Sequence, residues 1–396
     1  MSLKDKAIVL GVTGGIAAYK AVALCSHLVK AGALVDVILT DAAREFVTPL
    51  TFQALTHRPV VTEMFALLAE TEIGHVSLAK RADLLIIAPA TANTMAKMAA
   101  GLADNMLTTT ALATEAPILI APAMESHMWA SPLTQDNAAR LVRLRDVTLV
   151  GPGEGRLASG ASGVGRMAEP EEILDAARWL LARSGPLARC RVVVTAGGTR
   201  EPLDPIRFLG NRSSGRMGYA LATIARDLGA EVTLISTTGQ LAPFGAELMP
   251  VETASEMCRA VLQVLPDADA LLMAAAVADY RPALQAEQKI KKKEEGLALE
   301  LARTPDILAQ VADLRRDDQV IVGFAAETEN LRENALGKLE RKRLDLIVAN
   351  DARQAMGAAE NQILLLGTDG TVEEWPLLSK DEVARQILAR VDALLA

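Results

Sequence analysis

Short apolar runs of strand length recur along the chain, separated by stretches in which apolar residues return at helical period. The runs fall at residues 7–10, 35–39, 84–88 and 118–121, and again at 192–195, 232–236, 271–275, 320–324 and 346–349. They are continuous rather than alternating, so each predicts a strand covered on both faces, as in a parallel sheet flanked by helices. The order of signals repeats as well. Residues 8–40 read strand, glycine turn, helix, strand, with the second strand announced by Ala31-Gly-Ala-Leu-Val. Residues 192–237 read the same way, with Leu228-Gly-Ala-Glu-Val as the counterpart. The pattern predicts an α/β protein of two Rossmann-like, doubly wound domains. A helix over 170–183 lies between them, and the break at 184–189 contains Gly185 and Pro186, which end it. The expected domains are therefore 1–186 and 187–396.

Composition narrows the function. A chain of 396 residues divides into two or three domains at roughly 150 residues each. Its 51% hydrophobic content supplies material for packed cores, and its formal charge of -8 argues against a nucleic-acid backbone as partner. Aromatic residues make up only 3%, too few for the stacking platforms of a single-strand binder. Apolar runs such as 116–124 and 270–278 are far shorter than the roughly 20 residues that span a bilayer, so no membrane segment is expected. The N-terminus leads straight into a strand without a signal-peptide pattern, which predicts a cytoplasmic protein. Cys25, Cys190 and Cys258 are odd in number and widely spaced, which disfavours a disulfide framework or a zinc cluster.

Candidate chemistry begins with charge. The run KIKKK at 289–293 stands against the acidic background and follows AAAVADY at 274–280, an apolar strand leading to Asp279. Concentrated positive charge beside such a strand suits a nucleotide polyphosphate, although a solvated lysine loop would read the same. Lys338 and Lys342 are spaced i,i+4 in a helical segment and project from one face, offering a second grip. In the first half, Gly11 to Lys20 follows the first strand and opens a helix, so bare backbone N–H groups can meet a phosphate, but the spacing is not that of the dinucleotide fingerprint.

Longer strings make the reading specific. GGIAAYK at 14–20, APATAN at 88–93, GLADN at 101–105 and PAMESHMW at 122–129 together resemble the flavin-containing cysteine decarboxylases. TAGGTREPLDPIR at 195–207, NRSSGRMG at 211–218, AAAVADY, KIKK and GFAAET at 323–328 resemble the CTP-dependent phosphopantothenate-cysteine ligases. In this order the halves are similar to the bacterial bifunctional enzymes of coenzyme A biosynthesis. The resemblance implies that cysteine is joined to 4'-phosphopantothenate through an acyl-cytidylate made with CTP and Mg²⁺. The resulting 4'-phosphopantothenoylcysteine is then decarboxylated with FMN. The partners implied are these small molecules, with the chain assembling as a homo-oligomer: trimers of the decarboxylase domain and dimers of the ligase domain.

In the ligase half, the resemblance implies that Lys289 neutralises charge between the attacking carboxylate and the triphosphate. It assigns Asp279, Pro305, Asp306, Phe324, Lys338 and Lys342 to the nucleotide, and Asn211 to turnover of the acyl-cytidylate as a neutral amide donor. Read without it, Asn211 is simply a residue that turns favour. Arg207 is implied as a ligand of the pantothenate arm, where a guanidinium fork suits phosphate or carboxylate. Mg²⁺ is expected to arrive with the nucleotide rather than in a protein cage, and no metal ligands are predicted.

In the decarboxylase half, Gly14, Gly15, Thr40, Asn93 and Asn105 are the implied flavin contacts. His75, within GHVSLAK at 74–80, matches the catalytic histidine, whose near-neutral pKa suits proton transfer. Two positions depart from the pattern. Glu125 stands where the family has an asparagine that donates to the substrate carboxylate, and an ionised glutamate cannot donate. Only a raised pKa would keep it protonated. Ser159, in the glycine-rich flap 151–167, stands where the family has a cysteine that helps complete reduction, and a hydroxyl is a far weaker acid than a thiol. These departures leave open a ligase with a silent flavin domain. A phosphatase-regulating flavoprotein is disfavoured, because such subunits carry acidic tails and residues 380–395 read as an amphipathic helix.

Overall fold

The first sheet has six parallel strands: β1 (Ala7–Val12), β2 (Leu34–Leu39), β3 (Val60–Val61), β4 (Leu84–Ala90), β5 (Ile118–Pro122) and β6 (Val147–Leu149). Their order across the sheet is β3-β2-β1-β4-β5-β6. This computed structural model describes residues 3–64, 74–291, 297–327, 329–351 and 360–396. Lys292, Lys293 and Thr328 lie outside the described residues. The chain divides into two compact units, Met1–Leu181 and Ala182–Ala396. Every residue of β4 is buried, which is why it reads as a continuous apolar run. An antiparallel hairpin, β7 (Gly153–Arg156) with β8 (Ser162–Arg166), follows the sheet.

The second unit holds an eight-stranded sheet. Its parallel part comprises β9 (Arg191–Ala196), β12 (Glu231–Ser236), β13 (Glu247–Pro250), β14 (Ala270–Met273), β17 (Val320–Glu327) and β18 (Leu346–Asp351). Two short hairpins stand apart from it: β10 (Arg200–Pro202) with β11 (Phe208–Gly210), and β15 (Tyr280–Pro282) with β16 (Leu301–Arg303). Beyond β18 the sheet turns antiparallel through β19 (Glu360–Gly367) and β20 (Val372–Ser379), giving the order β13-β12-β9-β14-β17-β18-β19-β20. The sequence reading missed this edge because β20 carries exposed polar residues and Pro376.

Helices cover both faces of each sheet, as the repeated strand–helix pattern predicts. Helix Arg216–Asp227 packs Leu221, Ile224 and Ala225 into one core with Ala384, Ile387 and Leu388 of helix Lys380–Leu395. Each such leucine or isoleucine contributes about 1.5–3 kcal/mol by leaving water. One strand is shorter than its apolar run: β14 stops at Met273, not residue 275, because residues 274–279 leave the sheet. The Ala276 N–H instead donates to the Gly197 carbonyl at 2.8 Å, and the Ala278 N–H to Thr199 Oγ1 at 2.9 Å.

Candidate active sites

In an open α/β sheet, ligands bind beyond the carboxyl ends of the strands where the order reverses, and in the first unit that point lies between β1 and β4. Thr13, the residue after β1, ties the two strand ends together. Its buried hydroxyl donates to the Pro89 carbonyl at 2.8 Å and accepts from the Thr91 N–H at 3.1 Å. Gly14 follows, and a Cβ there would come within 2.4 Å of Ala42 Cβ and 2.8 Å of the Ala42 carbonyl oxygen, so no larger residue fits. Gly15 meets nothing nearer than Thr91 Cγ2 at 3.9 Å. Helix Ala18–Lys30 then begins at Ala17 without a side-chain cap, although in its first turn the Ala18 and Lys20 N–H groups already donate to the Gly15 and Ala17 carbonyls.

The neighbouring flavin candidates are less free. Thr40 caps the helix Asp41–Arg44 by accepting from the Ala43 N–H, and its own N–H donates to the Val12 carbonyl at 3.1 Å. Asn105 caps Met106–Ala113 in a reciprocal capping box with Thr108. Asn93 is exposed in the first turn of helix Ala92–Ala100. The helix start without a side-chain cap and the open side of Gly15 at this switch point fit a phosphate-bearing flavin.

His75 is the second residue of helix Gly74–Arg81, and its Nδ1 is buried without a hydrogen-bond partner among the described residues. A buried ring nitrogen left unpaired is costly, which suits an imidazole kept for a substrate. Glu125 behaves contrary to the condition under which it would replace an asparagine. It caps helix Ser126–Ala130, accepting from Ser126 Oγ at 2.7 Å and the His127 N–H at 2.7 Å. These bonds, led by that from Ser126, hold its pKa below the usual carboxylate value. Glu125 is therefore ionised and cannot donate. Ser159 lies exposed at the tip of the β7–β8 hairpin. The base of that hairpin reaches the PAMESHMW segment, since the Met124 N–H donates to the Gly165 carbonyl at 3.0 Å.

In the second unit a cleft of about 1040 Å³ opens at the carboxyl ends of β14, β17 and β18. Seven residues singled out from the sequence line it: Asn211, Asp279, Pro305, Asp306, Phe324, Lys338 and Lys342. Lys338 Nζ donates to the Phe324 carbonyl at 2.7 Å. Burial lowers its pKa against the opposing pull of Glu327 and Asp279. Lys342 sits one residue past the end of helix Leu331–Arg341, so the shared face expected of the two lysines is completed by the helix cap. It forms an ion pair with Asp306, which also caps helix Ile307–Leu314 by accepting from the Ala309 N–H at 3.1 Å. Burial raises the Asp306 pKa, but the bonds from Lys342 and Ala309 outweigh it and the net shift is downward.

Three ligase residues sit differently from what their implied roles require. Lys289 is exposed in an irregular segment and is not among the residues lining this cleft. Arg207 does not offer an open fork: Nε donates to Asp204 at 3.0 Å, and Nη2 bonds both Asp204 and the Ile290 carbonyl. Asn211 lines the cleft, but its amide nitrogen donates to the Val277 carbonyl at 3.0 Å, so its donor holds the strand-end loop. Other lining residues carried no assigned role in the sequence reading, among them Arg216, Asn350, Asn361 and Lys380. Arg216 lies inside the NRSSGRMG string at 211–218. Lys380 began a helix whose apolar period alone was legible.

Comparison with known proteins agrees with this two-part geometry. Residues 1–181 match the family model "Flavoprotein", and residues 187–395 match "DNA/pantothenate metabolism flavoprotein C-terminal domain". The Coenzyme A biosynthesis bifunctional protein CoaBC of Bacillus subtilis (strain 168) is 46% identical, covering 99% of this chain and 98% of its own. The proteins of the same name from Vibrio cholerae and Mycobacterium tuberculosis are each 45% identical, covering 98% and 99% of this chain and 98% and 97% of their own. Among solved structures, the C-terminal domain of a CoaBC protein aligns at 42% identity and TM-score 0.47, over 54% of this chain and 98% of that one. A PPC decarboxylase mutant complexed with pantothenoylaminoethenethiol aligns at 33% and 0.40, over 44% and 97%.

The protein is thus a two-domain α/β enzyme with a flavoprotein half. The chain belongs to the family of bifunctional coenzyme A biosynthesis proteins, which act as phosphopantothenate-cysteine ligase and phosphopantothenoylcysteine decarboxylase.

Proposed function

We propose that residues 1–186 carry the decarboxylase with FMN at the β1/β4 switch point, and that residues 187–396 carry the ligase with CTP and Mg²⁺ in the cleft. The observation that carries this reading is the gathering of seven sequence-picked residues around one cleft of nucleotide size.

In the ligase, Lys338 and Lys342 offset the charge of the nucleotide while the carboxylate of 4'-phosphopantothenate attacks its α-phosphorus and pyrophosphate leaves. Their existing partners, the Phe324 carbonyl and Asp306, hold both ammonium groups at the wall of the cleft before substrate arrives. The amine of cysteine then displaces CMP from the acyl-cytidylate. Asn211, anchored on Val277, aligns the loop 274–279 against that step. Lys289 enters through a loop whose base is latched by Asp204 and Arg207.

In the decarboxylase, bound FMN would supply the two-electron oxidation of the substrate thiol that lets CO₂ leave and would return the same two electrons afterwards, so that the reaction is redox-neutral overall. His75 moves the proton at that sulfur, Gly14 and Gly15 admit the cofactor phosphate to the helix terminus, and the β7–β8 hairpin covers the substrate. Cytoplasmic location, trimers through the decarboxylase domain and dimers through the ligase domain complete the reading.

The test is anaerobic incubation of the purified chain with 4'-phosphopantothenate, cysteine, CTP and Mg²⁺, with products read by mass spectrometry. The expected product is 4'-phosphopantetheine with one CMP and one pyrophosphate per turnover. Failure to form 4'-phosphopantothenoylcysteine would overturn the ligase assignment, and its accumulation without CO₂ would overturn that of the decarboxylase.

A further inference from the structure

Lys20 is a buried charge that the proposed chemistry leaves unused. It is the third residue of helix Ala18–Lys30, just beyond the Gly14–Gly15 turn, and is only 7% exposed. Burying an ammonium group is costly unless it is paired and hydrogen-bonded, so its partners indicate what it holds. They lie 147 and 149 positions further along the chain, within the same compact unit. Nζ donates to the Met167 carbonyl at 3.1 Å and to Glu169 Oε1 at 3.0 Å.

These partners mark where the glycine-rich flap ends. Arg166, the last residue of β8, donates from Nη2 to the same Glu169 oxygen at 2.6 Å. Glu169 is itself fixed at the start of helix Pro170–Ala182. Its N–H donates to Glu172 Oε2 at 2.7 Å, and its carbonyl accepts from the Glu172 and Ile173 N–H groups. The entering end of the flap is held by backbone, with the Val150 N–H donating to the Ile120 carbonyl at 2.9 Å. The leaving end is held by the Lys20 side chain.

The flap has little slack between this anchor and its seat on the PAMESHMW segment. A Cβ at Gly165 would come within 2.2 Å of the Met124 carbonyl oxygen, and one at Gly163 within 3.0 Å of Ser126 Cβ. Close-packed contacts transmit displacement rather than absorb it, so a shift at Met167 is passed to Gly165 and on to the segment that carries Glu125. We infer that Lys20 is a positioning residue, which anchors the leaving end of the flap to the helix that follows the flavin turn and so sets flap and turn in register. The inference rests on the reading that hairpin β7–β8 covers the decarboxylase substrate. The lysine takes no part in the bond changes.

The test compares the full chain with Lys20→Met, Lys20→Arg and Glu169→Gln in three readouts. These are flavin absorbance per chain, trypsin cleavage after the exposed Arg156 of β7 followed by mass spectrometry, and kcat and KM for 4'-phosphopantothenoylcysteine from CO₂ release. Lys20→Met fills similar space without the charge. It is expected to keep its flavin, to be cleaved after Arg156 about tenfold faster and to raise KM about tenfold with a smaller change in kcat. Glu169→Gln keeps an acceptor and is expected to fall between parent and Lys20→Met, while Lys20→Arg restores most of both values. Unchanged cleavage and KM in Lys20→Met would overturn the inference. If Lys20→Met loses both flavin and fold, Glu169→Gln decides: faster cleavage there upholds the anchor, and unchanged cleavage and KM reduce Lys20 to a core residue. Faster cleavage with unchanged KM would uphold the anchor and overturn instead the reading that the hairpin covers the substrate. Cleavage needs no turnover, so this readout stands apart from the decarboxylase assignment.

Discussion

Asp204 Oδ2, on a side chain with no exposed surface, accepts from the Arg207 guanidinium and also from the Ile290 N–H at 3.1 Å. One buried carboxylate thereby fixes both an arginine and the backbone beside Lys289. The Arg207 bond is the main cause that holds the Asp204 pKa well below the usual carboxylate range. A carboxyl with a lowered folded pKa stabilises the fold above its unfolded value near 3.8, and that contribution disappears as pH falls through the folded value. Asp204→Asn is expected to release the loop, with trypsin cleavage at Lys289 or Lys291 accelerating about tenfold at neutral pH and ligase activity falling with it. Unchanged cleavage would remove the latch from the account.

Glu125 is an ionised cap, so the negative charge persists at every pH at which the enzyme is assayed. Glu125→Asn keeps an N-capping side chain and removes the charge. The expected outcome is a KM for 4'-phosphopantothenoylcysteine lower by about tenfold, the scale of one charge-assisted contact. The ratio of variant to parent kcat/KM should be flat between about pH 6 and pH 8, because the Glu125 pKa lies below its ordinary value. A slope in that window, measured by CO₂ release, would mean that Glu125 titrates there.

Ser159 stands at an exposed hairpin tip, so Ser159→Cys is expected to change stability by less than about 0.5 kcal/mol in denaturant titration. The same substitution supplies a thiol of pKa near 8.5 to the flap. Mass spectrometry is expected to show a larger share of fully reduced 4'-phosphopantetheine relative to its unsaturated precursor. An unaltered ratio would exclude position 159 from the reductive step.

Lys338 must be protonated to meet a nucleotide phosphate, and burial makes it lose its proton below the ordinary lysine value of 10.5. CTP affinity, followed by isothermal titration, is therefore expected to weaken with rising pH before an exposed lysine would deprotonate. Lys338→Met should abolish that alkaline limb and bind CTP about tenfold more weakly at neutral pH.

Gly14→Ala tests the flavin turn. The added methyl meets the Ala42 backbone at 2.7 Å, and overpacking of this kind costs about 1–3 kcal/mol. Visible absorbance of the purified variant is expected to report lower flavin occupancy, with ligase turnover preserved because Gly14 belongs to the other unit.

The sequence by itself determined the doubly wound α/β class, because β1, β4, β9 and β17 are buried on both faces and continuous apolar runs record that burial directly. It also determined the family and seven residues of the cleft, among them Asp279 and Phe324, which lie in recognisable strings, and Lys338 and Lys342, which are spaced i,i+4. Tertiary structure alone decided what those side chains do. Ser126 and the His127 N–H keep Glu125 charged, Asp204 engages Arg207, and Val277 engages the Asn211 donor. Lys380 gives the clearest contrast. In sequence it is one lysine at the head of an amphipathic helix, and the positive charge near it arises only when residue 216, 164 positions earlier, is folded beside it. Burial along one element is periodic and can be read from a single chain, whereas hydrogen-bond partners and charge neighbours are set by long-range packing that no local pattern encodes.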